Sequence, residues 1–218
     1  MYGARRATLT PDAPPTWERG EGPLMTPRAL RSVAVFCGSN TGHGDAYREG
    51  AAALGRAIAR RGLTLVYGGT HKGLMGVLAD SCLEAGGEAH GIITERLHGR
   101  GHLHGRLTRH EIAATMRARK ERMADLADAV VALPGGIGTL EEFMEAWTLN
   151  QLGEADKPAG LLDVEGFYQP FLAFIDSMIA RGFLPAAHRH SIVVSPDPDA
   201  LLDGLAALPP ITTPKWMG

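Results

Sequence analysis

The stretch Asp128–Trp147, DAVVALPGGIGTLEEFMEAW, constrains this chain more than any other. Ala129–Leu133 is a short, unbroken apolar run, the pattern of a parallel strand covered on both faces. Pro134 closes it. Gly135, Gly136 and Gly138 follow, and glycines so placed let a ligand come close to the main chain. The pattern then turns helical. Thr139 stands where an N-cap belongs, and Thr139-Leu-Glu-Glu142 fits a capping box, which needs no ligand. A cap alone does not call for three glycines, however. The stretch therefore reads as strand, turn and helix, with helix-terminal amides positioned to cradle a phosphate.

The same unit recurs along the chain. Arg31–Phe36 is a strand, CGSNTGHGD a turn rich in small residues, and Tyr47–Arg61 an alanine-rich helix with one apolar face. Ser39 and Asn40 in that turn can either meet a ligand or cap the helix. Leu63–Tyr67 is a second strand opening into GGTHKGLMG and a helix over Leu74–Ala85, stopped by Gly86-Gly87. Strands follow at Ala89–Thr94, Pro158–Leu162 and Ser191–Val194, and helices at Ala114–Ala127, from the glycine turn to Gln151, at Gly166–Arg181 and at Asp199–Ala207. The alternation predicts an α/β, Rossmann-like single domain: a mostly parallel sheet, helices on both faces and right-handed crossovers. Ligands in such sheets sit at the carboxyl ends of the strands, where all three glycine-rich turns fall. The domain is expected over 29–208. Residues 1–28, proline-rich and without periodicity, read as a disordered or loosely docked leader, and 209–218 as a tail.

With 218 residues, a formal charge of −2 and 44% hydrophobic residues, the chain can bury a sizeable core. The near-neutral balance gives no footing for a nucleic-acid partner. No apolar run is long enough to cross a membrane, and no apolar h-region follows Arg5 and Arg6. The two cysteines, Cys37 and Cys82, lie in apolar contexts, which suggests reduced, buried thiols and a cytoplasmic protein.

Several ligand classes can be weighed. The first turn lacks G-x-G-x-x-G spacing and the second strand ends in Tyr67-Gly-Gly, which speaks against a dinucleotide oxidoreductase; no Walker A loop occurs. A mononucleotide with one phosphate fits better. His98, His102 and His104 invite a metal, but no Cys or acid stands at ligand spacing, and a mobile loop over 95–109 is the expectation. On the helix 114–127, Met116, Lys120 and Met123 share one side while Arg119 and Arg122 fall elsewhere; one or two of these bases can turn inward toward an anion.

These residues carry a resemblance. Pro134–Glu142 is similar to the PGGxGTxxE signature of the LOG family, the cytokinin riboside 5′-monophosphate phosphoribohydrolases, many of them labelled lysine decarboxylase-like. Gly68–Gly76 resembles the family's second glycine turn, Phe36–Ser39 its first, and Met116-Arg-Ala-Arg-Lys120 its M-x-x-R-K helix motif. Thr70, Arg117 and the loop 95–107 depart from the usual pattern. The resemblance spans roughly 31–205 and implies a homodimer or larger oligomer without metal or organic cofactor. It implies hydrolysis of the N-glycosidic bond of a nucleoside 5′-monophosphate to free base and ribose 5-phosphate. Arg119 and Glu142 match the catalytic pair. Gly135, Gly136, Gly138 and Thr139 match the phosphate cradle, with Ser39, Gly69, Thr70, Met116 and Lys120 also at the nucleotide. A Glu in the first helical turn is expected to stay charged, as an electrostatic stabiliser or base. Two rival readings remain: a carrier that binds a nucleotide-like ligand without cleaving it, and a pyridoxal phosphate decarboxylase using Lys72 or Lys120.

Overall fold

The protein is described by a computed structural model over residues 27–210. The expected leader and tail fall almost wholly outside that range. Strands and helices alternate in the order β1 (Ser32–Phe36), α1 (Ala46–Arg60), β2 (Thr64–Tyr67), α2 (Gly73–Glu84), β3 (Glu88–Thr94), α3 (Glu95–His98), β4 (Arg109–Ala113), α4 (Met116–Leu126), β5 (Ala129–Ala132), α5 (Ile137–Leu152), β6 (Ala159–Leu162), α6 (Gln169–Ala180), β7 (Ile192–Ser195) and α7 (Pro198–Ala207). All seven strands pair in parallel in one sheet, ordered β4-β3-β2-β1-β5-β6-β7.

The buried strands explain themselves. Every residue of β1, β5 and β6 is buried, so, Ser32 apart, each strand is apolar along its length rather than alternating. One face of the sheet packs on α1, α2 and α7 through Leu54, Ile58, Leu74, Leu78, Leu201 and Leu205. The other packs on α4, α5 and α6 through Met123, Phe143, Trp147, Leu172 and Ile175. Burying each such large side chain contributes roughly 1.5–3 kcal/mol. The Trp147 indole N–H also needs a partner in that core, and donates to Ser191 Oγ at 2.8 Å, which in turn donates to the His188 carbonyl at 2.7 Å.

The segment expected to be a mobile loop differs from that expectation. Its first residues form α3, capped by Thr94 Oγ1, which accepts from Leu97 N at 3.4 Å. Its end opens into β4, an edge strand in register with His90–Thr94. The sequence RHEIA shows no apolar run because this strand is mostly exposed; Glu111 instead pairs with Arg122 at 2.7 Å. Short charged edge strands resist pairing with other chains, and charge is what hid this one from a hydrophobicity reading.

The topology places the site. From β1 the chain moves outward through β2 and β3 to β4, then returns beside β1 with β5 and continues to β6 and β7. The crevice beyond the carboxyl ends of β1 and β5 is thus the switch point where open α/β sheets bind ligands.

Candidate active site

Three glycine-rich turns meet at the switch point. Gly38 N, after β1, donates to the Pro134 carbonyl after β5 at 3.1 Å, and Gly38 O accepts from Leu74 N at the start of α2 at 3.0 Å. At Gly135 the fit is tight: a Cβ would overlap Thr139 Oγ1 and lie 2.9 Å from Gly38 N. Gly136 and Gly138 face open space instead.

The start of α5 corrects one expectation. The helix begins at Ile137 with Gly136 as N-cap, three residues before a Thr139 cap would allow, and no side chain caps it. Thr139 is buried inside the first turn against Gly135, and no capping box forms with Glu142. The first-turn amides of Ile137, Gly138 and Thr139 have no intrahelical partner by helix geometry, and no acidic side chain shares that turn. An uncapped helix N-terminus rimmed by open glycines has the geometry that can hold an anion.

Arg119 and Glu142 lie beside it. Arg119 Nη1 donates to Glu142 Oε1 at 2.8 Å, and Arg119 Nε to the Ile92 carbonyl at 2.9 Å. The two side chains are only 8% and 14% exposed. The guanidinium lies against Gly68, where any Cβ would overlap it. Arg119 thus shares the buried side of α4 with Met123, at the i+4 spacing, and does not fall elsewhere as the sequence suggested. It is turned inward, onto the Ile92 carbonyl and Glu142.

Glu142 brings a second correction. It is the sixth residue of α5, past the reach of the terminal amides, so the helix dipole does not hold it charged. Burial pushes its carboxyl above the usual carboxylate value, while Arg119 pulls it back down. Cys37, beneath the pair, is buried, and burial pushes its thiol up as well. It is a packing residue with no nucleophilic character.

Known proteins are similar to this chain in sequence. The profile of a family described as "Possible lysine decarboxylase" matches residues 75–205. The chain is 42% identical over 182 residues to a probable cytokinin riboside 5′-monophosphate phosphoribohydrolase of Oryza sativa subsp. japonica, covering 84% of this chain and 80% of that protein. It is 44% identical over 168 residues to the cytokinin riboside 5′-monophosphate phosphoribohydrolase of Rhodococcoides fascians, covering 77% and 85%.

The chain belongs to the LOG family.

Among solved structures, a molybdenum cofactor carrier protein from Chlamydomonas reinhardtii is similar at a TM-score of 0.63 and 22% identity, covering 82% of this chain and 96% of that one. A molybdenum cofactor binding protein from Rippkaea orientalis gives 0.60 and 22%, covering 79% and 93%. At that identity the likeness is one of fold.

The other sequence-derived positions of this LOG protein distribute as follows. Ser39 is exposed on the first turn, and Gly69 and Thr70 are buried in the second, where Thr70 Oγ1 accepts from Lys72 N at 3.2 Å. Met116, half exposed, holds its Sδ 3.3 Å from Arg119 Nη1. Lys120 is held by Glu141 and Glu145 on α5, which both engage its ammonium. His98, His102 and His104 do not converge, and among the described residues no group of three His, Cys, Asp or Glu side chains can hold a metal. Two site elements escaped the sequence reading. The Ile92 carbonyl is a backbone group with no residue signature, and Gly68 supports Arg119 only through the fold. The inward turn of Arg119 was detectable, since Met116, Arg119 and Met123 follow i, i+3, i+7.

Proposed function

We propose that this LOG-family protein hydrolyses the N-glycosidic bond of a nucleoside 5′-monophosphate, a cytokinin riboside 5′-monophosphate or AMP, giving free base and ribose 5-phosphate. The observation that carries it is the buried 2.8 Å Arg119–Glu142 pair beside the open N-terminus of α5. Phosphate fits the amides of residues 137–139, which places the sugar near the pair. As the bond breaks, positive charge develops on the sugar, and the Glu142 carboxylate stabilises it in a site where burial strengthens electrostatics. Water adds its oxygen to C1′, and its proton leaves with the base. Glu142 is also placed to orient that water as general base, an effect of roughly 10²–10⁴-fold. Arg119 opposes the effect of burial on the Glu142 carboxyl and is available to the departing group.

A carrier of nucleotide-like ligand needs no buried ion pair at the sugar, and relatives at about 40% identity named phosphoribohydrolases favour turnover over carriage. The lysine decarboxylase description does not fit the lysines: Lys120 is held by two carboxylates, and Lys72 is exposed at the N-cap of α2.

The same reading includes a homodimer or larger assembly in the cytoplasm. Ile112, Met116 and Ile137 are large apolar side chains left exposed in the single chain, which a second copy could cover. Cys37 and Cys82 are free and buried, in keeping with a reducing compartment. Replacing Glu142 with Gln tests the enzymatic reading: base release stops while nucleotide binding persists. Undiminished release in that variant would remove Glu142 from the mechanism.

A further inference from the structure

Beyond the pair and the cradle, the loop between α3 and β4 is tied to the site by a closed circuit of contacts. His104 is 5% exposed, and its Nε2 lies 3.1 Å from Asp80 Oδ1 on α2. Its Nδ1 accepts from Arg106 N at 3.2 Å, which fixes the tautomer: Nε2 carries the hydrogen and donates it to Asp80. Its backbone N–H donates to the Gly69 carbonyl at 2.9 Å, and His71 N donates to the His102 carbonyl at 3.2 Å. Thr70 and Leu103 form an antiparallel bridge. Residues 102–104 therefore hang on the second glycine turn as an added piece of strand. Because α2 starts directly after that turn, Asp80 and His104 close the circuit from the turn, through α2, across the ring and back to Gly69.

What the circuit holds matters for the chemistry. Gly69, at φ +71°, packs against Gly91 and Ile92 of β3, and a Cβ there would sit 3.3 Å from their backbone atoms. Gly68 beside it is the surface on which the Arg119 guanidinium rests, and the Ile92 carbonyl receives Arg119 Nε. The turn is thus wedged between β3 and Arg119, and the His104 clasp is what presses it there from outside.

We propose that His104 is a positioning residue: clasped by Asp80, it holds the Gly68–Gly69 turn against β3 and so keeps Arg119 aimed at Glu142. This rests on the phosphoribohydrolase reading for its kinetic consequence but not for its geometry. Displacements near 1 Å cost about 10²-fold when geometry governs the rate.

The test compares His104→Ala, His104→Gln and Arg106→Ala in the full chain. Arg106 also pairs with Asp80 and Glu84 at the surface, so its removal strips those ion pairs while its backbone N–H still serves His104. The expected result is a fall in kcat of about 10–100-fold for His104→Ala, with affinity for ribose 5-phosphate unchanged because the cradle at 136–139 is untouched. Gln, whose amide N–H can reach Asp80, restores most of the rate, and Arg106→Ala stays near wild type. A second readout needs no turnover: the resonance of the buried Arg119 Nε–H shifts and broadens in His104→Ala but not in His104→Gln. Wild-type kcat and an unmoved Arg119 resonance in His104→Ala would overturn the proposal. So would equal loss in both His104 variants with ribose 5-phosphate binding falling in parallel. If the wild-type chain releases no base, the hydrolase reading fails, and the Arg119 resonance still decides the positioning role.

Discussion

At the residue scale, the proposed chemistry depends on how Arg119 and Glu142 are held. Arg119 uses separate nitrogens for the Ile92 carbonyl and for Glu142, a fork that a lysine ammonium does not reproduce. Arg119→Lys is therefore expected to lower kcat by at least about tenfold, measured by base release at saturating substrate. Equal rates would mean that only the charge matters. Gly68→Ala should act the same way, since the added methyl overlaps the guanidinium; a wild-type rate in that variant would show that Arg119 does not need its resting surface. The Glu142 carboxyl, raised by burial above its ordinary 4.5, gives a pH prediction. A raised folded-state value means that the folded protein binds the proton more tightly than the unfolded chain. Its contribution to stability is thus best at low pH and declines as pH rises through the folded value. Activity that needs the carboxylate runs the other way, rising with pH. Titration of the labelled Glu142 carboxyl by NMR should place its midpoint above 4.5; a midpoint below it would mean that Arg119 outweighs burial.

At the scale of elements, the strand–turn–helix around β5 separates two kinds of glycine. Gly135 is required by packing, because a Cβ there meets Thr139 and Gly38, whereas Gly138 faces open space. Gly135→Ala should lower the melting temperature, and Gly138→Ala should leave it unchanged while raising KM for the nucleotide, as a methyl intrudes on the phosphate. The opposite assignment would place the ligand elsewhere. This unit was also where the sequence was most informative. The apolar run 129–133, the glycines and the following helix are local signals, and the structure follows them. The register of the helix start was not legible, because Thr139 satisfies a cap pattern equally well; packing of its side chain against Gly135 decides the matter. β4 was missed for a different reason. An exposed edge strand carrying Arg109, His110 and Glu111 has no apolar periodicity, and its existence depends on β3 offering a free edge.

At the scale of the whole molecule, the strand order turns three separate turns into one site. Each turn was visible in the sequence, as was the rule that such turns gather at the carboxyl ends of the strands. The order of the strands was not, so the closeness of the loop after β1 to that after β5 could only be expected. Long-range details were less accessible still: the His104–Asp80 clasp joins residues 24 apart with no motif between them. The core contains one group that packing serves poorly. The Tyr67 hydroxyl is buried and has no hydrogen-bond partner among the described residues. Tyr67→Phe removes an unsatisfied polar group and is expected to be neutral or stabilising by about 1 kcal/mol in urea unfolding. A clear loss of stability would reveal a partner for that hydroxyl.

The central claim is that this fold carries a working phosphoribohydrolase site built on Arg119 and Glu142. The most direct measurement is chromatographic base release from AMP and from isopentenyladenosine monophosphate, in parallel and without added metal, by the wild-type chain and by Glu142→Gln. Free base is expected from one or both substrates with the wild type and none with the variant, which still binds nucleotide. The ratio between substrates reports on the base pocket, where one apolar group discriminates by only about 1–3 kcal/mol. Intact nucleotide after prolonged incubation with the wild type, despite binding, would contradict the account and make the chain a carrier.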